Sequence, residues 1–242
     1  MRRLLATILL AGAAQAAPAA PGLLVIVGGG ATPPEATRVL IDAGGGRNAR
    51  VVVVPFAGTG QDAGDGAARV FRKLGVASVK VLDDKDAAGG RAALADATAV
   101  YLGGGSQRRL MAKLDELGLA DTLRQRHAGG LPVMGTSAGA AVMSATMIAG
   151  PDPKRKGAPL MGAGLGLWRD AIVDQHYSQR DRENRLAKAV AAHPSLVGVG
   201  IDESTAVLVS GREARVVGKE TVTVLRSGKA EQVLKAGGRF GW

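Results

Sequence analysis

"PVMGTSAGAAVM", residues 132–143, carries an apolar strand-like run into a glycine, a lone serine and a second glycine, then opens a helix of small residues. Gly135-Thr136-Ser137-Ala138-Gly139 satisfies G-x-S-x-G, the pattern that raises a nucleophilic serine on a sharp strand-to-helix turn. With 36 glycines and nine serines in 242 residues, chance alone supplies about 0.2 such matches. Two readings therefore stand: a nucleophile, or a polar residue in a glycine-rich bend. The strand–turn–helix context strengthens the first. In that case the Ala138 amide would point where an oxyanion forms, and an amide of Gly104 or Gly105 would be the second donor.

The neighbouring sequence repeats the pattern. "LLVIV" (23–27) ends in Gly28-Gly29-Gly30, and "RVVVVPF" (50–56), "SVKVL" (78–82), "AVYLGGG" (99–105) and "LPVMG" (131–135) are further apolar, β-branched runs with helical spacing between them. Such alternation predicts an α/β fold, a mostly parallel sheet with helices on both faces. Ligands of these sheets gather at the carboxyl ends of the strands, where the glycine clusters fall. Gly28–Gly30 lacks the spacing of a dinucleotide fingerprint and reads as a tight turn with close backbone approach. Beyond residue 195 the strands shorten, with hairpin turns at Ser210-Gly211 and Ser227-Gly228. That texture predicts an antiparallel extension of the sheet at the C-terminal end. No linker precedes it, so residues 17–242 read as one domain.

The first residues read differently. Arg2 and Arg3 precede an apolar run from Leu4 to about Ala14, and Ala14-Gln15-Ala16 fits a small-x-small cleavage site. Residues 1–16 are expected to be a secretory signal, too short to span a bilayer comfortably, which predicts an exported protein, periplasmic or extracellular, with no membrane association after cleavage. Removal of the segment leaves 29 basic against 21 acidic residues, a net charge of +8. The basic residues are dispersed and aromatics make up only 3%, which argues against nucleic-acid binding. Absence of cysteine excludes disulfides, a thiol nucleophile and thiolate metal sites. Three scattered histidines make a poor metal centre, so neither metal nor cofactor is expected. A homodimer is one assembly the sequence allows.

A nucleophilic serine needs a base. His127 and His193 sit at predicted helix ends, where an imidazole commonly caps carbonyls. His176 differs: "AIVDQHYSQRDRENRL" (171–186) stops a strand-like run in Asp174, Gln175 and His176 before a charged helix begins. Polar groups at the end of a buried strand are costly unless functional or fully paired, so His176 is the candidate base. For the acid that orients it, spacing alone leaves open Asp174, or Asp202 and Glu203 between two apolar strands.

Several of these stretches together resemble the cyanophycinase family of serine hydrolases, which includes aspartyl dipeptidases. They are "GTSAGA" with "GLGL" (164–167), "DQHYSQRDRENRL" (174–186), "GIDESTA" (200–206) and "YLGGGSQRRL" (101–110), in order from about Gly22 to Ser210. The resemblance implies a glutamine-amidotransferase-like fold with Ser137 as nucleophile, His176 as base and Glu203 as the orienting acid. It also implies that Gln107, Asp174, Gln175, Arg180, Arg182 and Arg185 line the substrate cleft. The arginines would hold substrate carboxylates, and Asp174 would meet a guanidinium. The implied reaction is hydrolysis of peptide bonds made by the β-carboxyl of aspartate. The implied substrate is cyanophycin, cut to β-aspartyl-arginine, or else short aspartyl or isoaspartyl peptides. A periplasmic binding protein of the same fold would need no serine, histidine and acid together. Two features depart from the family pattern: Ser106 stands where aspartate is frequent, and residues 145–163 match nothing in it.

Overall fold

A computed structural model describes residues 20–60 and 63–242, so the expected signal segment lies outside the described residues. The first half alternates strands and helices. Strands β1 (Leu24–Val27), β2 (Arg50–Val54), β3 (Ser78–Val81), β4 (Ala99–Leu102) and β5 (Val133–Thr136) are separated by helices α1 (Pro34–Ala43), α2 (Asp65–Lys73), α3 (Ala87–Asp96), α4 (Gln107–Glu116) and α5 (Ala120–Ala128). After β5 come the short helix α6 (Ala138–Ala141), strands β6 (Thr146–Pro151), β7 (Pro159–Ala163) and β8 (Ala171–Gln175), and helix α7 (Glu183–Ala192). The remainder is all strand: β9 (Val197–Ile201), β10 (Thr205–Ser210), β11 (Glu213–Gly218), β12 (Val222–Leu225), β13 (Gln232–Leu234) and β14 (Arg239–Gly241).

The main sheet has the order β14-β11-β10-β1-β5-β4-β2-β3. β1 to β5 run parallel, and the expected antiparallel extension follows as β10, β11 and β14. The sequence reading did not separate out a second sheet, β13-β12-β9-β8, in which β8 and β9 are parallel. β9 is buried along its whole length. Its glycines make that possible: a Cβ on Gly198 would lie 2.5 Å from Val190, and one on Gly200 2.5 Å from the Tyr177 ring. Side chains of both sheets, among them Ile26, Val133, Val173, Val199 and Val224, form one buried cluster. Each such aliphatic side chain contributes roughly 1.5–3 kcal/mol on burial.

The segment without family pattern, 145–163, forms the β6–β7 ribbon with an irregularity between Ile148 and Gly150. Ser106 has a local role as the N-cap of α4, accepting from the Arg109 amide at 3.3 Å. Serine and aspartate serve that position about equally well. No described helix is long and apolar enough to cross a membrane. The architecture brings the carboxyl ends of β1 and β5 together with those of β8 and β9.

Candidate active site

Ser137 directly follows β5 at φ 52 and ψ −111, a backbone conformation costly for a side-chain-bearing residue. The flanking glycines make the turn possible. A Cβ on Gly135 would lie 2.3 Å from the Gly139 carbonyl oxygen, and one on Gly139 2.2 Å from that of Leu102. The Ser137 amide donates to the Val27 carbonyl at 3.0 Å, which fixes the turn against β1.

His176 follows β8, also at positive φ (50), and brings its ring to the serine. Ser137 Oγ donates to His176 Nε2 at 2.8 Å, and His176 Nδ1 donates to Glu203 Oε1 at 2.5 Å. Glu203 follows β9, and its amide donates to Gln179 Oε1 at 2.9 Å. Burial holds the His176 pKa below its ordinary 6.5; Arg180 and Arg182 push the same way, against the opposing pull of Glu203. The imidazole is therefore neutral at neutral pH, the state a general base requires.

The neighbouring acid, Asp202, does something else. Its Oδ1 accepts from the Ser178 amide at 3.0 Å, and its Oδ2 from the Thr221 hydroxyl at 2.6 Å and the Thr221 amide at 3.2 Å. Burial pushes the Asp202 carboxyl up, but these hydrogen bonds outweigh it and leave the pKa below the usual range. Asp202 ties three loops together while Glu203 faces the histidine.

Gly104 adjoins the serine: a Cβ there would lie 3.4 Å from that of Ser137. The amides of Ala138, Gly104 and Gly105 donate to no acceptor among the described residues. The missing side chain of Gly105 faces the Ala57 carbonyl oxygen at 2.1 Å.

The residues expected to line the cleft fall into two groups. Asp174 does not stand open to a guanidinium. It is fully buried, and its carboxylate takes Arg185 on both oxygens (Nε to Oδ2 at 2.7 Å) and Arg182 at 3.4 Å. Arg182 also donates to the Gln175 carbonyl, so these two arginines are engaged inside the protein rather than free for substrate. Gln107 donates through Nε2 to the Ile148 carbonyl at 2.9 Å, tying α4 to the β6–β7 ribbon. By contrast, Arg180 is exposed and makes no ion pair among the described residues. Gln175 is 4% exposed, and its Oε1 is a buried acceptor without a partner among the described residues. Of the other histidines, His127 donates from Nδ1 to the Leu131 carbonyl at 3.0 Å, and His193 ends α7.

Residues 23–217 match Peptidase family S51. The chain belongs to this family. It is 41% identical over 167 residues to a cyanophycinase of Trichormus variabilis, across 65% of this chain and 56% of that protein. The chain thus spans a little over half the length of that relative. To a peptidase E of Citrobacter koseri it is 30% identical over 201 residues, covering 78% of this chain and 85% of that one. The fold superposes on the crystal structure of a peptidase from an acI-B1 actinobacterium with a TM-score of 0.71 and 23% identity, over 93% of this chain and 98% of the other.

Two parts of this S51 site were not anticipated from the sequence. Gln179 lies inside the 174–186 stretch, which assigns it no role, and its Oε1 meets the Glu203 amide through the 3₁₀ turn Ser178–Arg180. Gly28–Gly30 did carry a signal, three glycines at the end of a buried strand, but the sequence does not say what approaches them.

Proposed function

We propose that the chain is a serine peptidase that hydrolyses main-chain peptide bonds of aspartate. The β-carboxyl bond, expected above as the one cut, stays intact in the product β-aspartyl-arginine. The observation that carries this reading is the unbroken hydrogen-bonded line from Ser137 through His176 to Glu203, beside the free amides of Ala138 and Gly104. Ser137 Oγ attacks the scissile carbonyl as His176 Nε2 takes its proton, and Glu203 steadies the imidazolium. The oxyanion lies against the two amides. Collapse expels the amine, which receives the proton from His176. Water, activated by the same imidazole, then releases the acid product from the acyl-serine.

Cyanophycin, an aspartate polymer bearing arginine on each side chain, is the proposed substrate, supported by the relatives named cyanophycinase. Arg180, exposed and without an ion pair among the described residues, is the group suited to a substrate carboxylate. Short aspartyl peptides are the second reading, favoured by the peptidase E relatives. Export belongs to the same proposal and rests on Arg2-Arg3, the apolar run and Ala14-Gln15-Ala16. N-terminal sequencing of the protein recovered outside the cytoplasm, beginning after residue 16, would support it.

The deciding experiment incubates purified protein with insoluble cyanophycin and assays β-aspartyl-arginine, with Ser137→Ala as control. Release by the wild type and a loss of at least ~10³-fold in the variant is expected. A wild type that labels with a fluorophosphonate yet releases nothing would move the substrate to short aspartyl peptides. Equal release by the variant would overturn the mechanism.

A further inference from the structure

Three consecutive carbonyls at the carboxyl end of β1 accept amides from the three segments that carry the triad. Val27 O takes the Ser137 amide at 3.0 Å, Gly28 O the His176 amide at 2.7 Å, and Gly29 O the amide of Ser204, next to Glu203, at 2.9 Å. These partners are distant in sequence, and two of them follow strands of the second sheet. Between the peptide planes, the missing side chains of the turn face the same groups. A Cβ on Gly29 would lie 2.2 Å from His176 Cε1, 2.5 Å from Nε2 and 2.7 Å from Nδ1. One on Gly30 would lie 3.0 Å from both Cβ and Oε2 of Glu203. Gly29 has φ 115 and Gly30 φ 64, both in the left-handed region.

We infer that Gly28–Gly30 is the positioning element of this site and that Gly29 seats the imidazole of His176. The inference rests on the catalytic reading above and goes beyond it. His176 cannot simply yield to a methyl group at Gly29. Its main chain is held by Gly28 O, and both ring nitrogens are engaged, at 2.8 Å and 2.5 Å. Ordinary contact requires the ring to retreat by more than ~1 Å, which takes Nε2 out of hydrogen-bond range of Ser137. A displacement of that size costs about 100-fold in rate. Gly29 is thus a positioning residue, acting through His176 without touching substrate.

Gly45 supplies the control, because it has φ 102 and nothing lies within 4 Å of the point where a methyl group would stand. Gly45→Ala therefore carries the backbone cost of alanine at positive φ without the collision. The experiment measures the rate of fluorophosphonate labelling at Ser137, the downfield imidazole proton of His176 by NMR, and thermal unfolding. It compares wild type, Gly29→Ala, Gly30→Ala and Gly45→Ala, with Ser137→Ala as blank. Expected results are a fall of about 100-fold in labelling for Gly29→Ala with loss of the downfield proton, and wild-type labelling for Gly45→Ala. Folded Gly29→Ala that labels at the wild-type rate and keeps the proton signal overturns the inference. Should Gly29→Ala not fold, Gly30→Ala decides: about a tenfold loss is expected through Glu203, and an unchanged rate overturns the inference. A wild type that fails to label would instead overturn the catalytic reading itself.

Discussion

At its carboxyl end β1 runs into Gly28–Gly30 and the Ser137–His176–Glu203 line, whereas at its amino end Leu24 borders a cavity of about 300 Å³ shared with Trp168 and Trp242. The four non-glycine residues with positive φ among the described ones, Ser137, His176, Asp181 and Ser204, all follow the carboxyl ends of β5, β8 and β9. Each such conformation costs on the order of 1–3 kcal/mol and persists only where the surroundings over-determine it. The amino end holds none of these. There Trp168 packs 4.9 Å from Trp242 and 6.4 Å from Phe240, and Trp242 Nε1 donates to Asp170 at 2.9 Å. One end of the strand holds strained, polar groups in register, and the other supplies apolar packing that helps hold them.

If that division is right, changes at the two ends separate activity from stability. The largest effect is expected from Glu203→Gln, which keeps the shape but lets His176 adopt the wrong tautomer. It should lower kcat by about 10⁴-fold while leaving Tm within a degree or two of wild type. A comparable fall in Tm would mean that the carboxyl end also carries the fold. Smaller, and opposite in kind, is Trp242→Ala at the amino end. Loss of its contacts with Trp168 and Phe240 should cost about 2 kcal/mol in urea unfolding, with kcat per folded molecule unchanged.

The same contrast explains what could be read from the sequence. Runs such as "LLVIV" and "RVVVVPF" announce buried parallel strands because burial on both faces leaves no room for polar alternation. The serine on its turn was legible for a local reason, since Gly135 and Gly139 are demanded by contacts within a few residues or with the adjacent strand. Pairing of β8 with β9 was not, because a continuous apolar run does not encode its partner. The acid that orients His176 hung on that pairing. Asp174 turns to Arg182 and Arg185 at the start of α7, while Glu203, one residue beyond Asp202, arrives from the neighbouring strand. Residue types named the chemistry, but the inward-facing ion cluster of Asp174 appears only once α7 lies against the second sheet.

Acid pH tests the two ends together, with the smallest expected effect. Burial holds His176 below 6.5 at one end, and burial holds His127 below 6.5 at the other, against the opposing bond to the Leu131 carbonyl. Both groups therefore bind a proton more readily in the unfolded chain. Their contribution to stability is full above about 6.5 and is lost as pH falls through the folded values. Asp202, whose pKa lies below its ordinary 3.8, adds its own loss only at still lower pH. Between pH 7 and 5, Tm should fall in the wild type and fall less in His127→Gln, whose amide can still donate to Leu131. Activity divides the two histidines: kcat/KM should drop along an acid limb below 6.5 set by protonation of His176, and that limb should superimpose for wild type and His127→Gln. A limb that moves with His127→Gln would couple the two ends of β1 and break the division between chemistry and support.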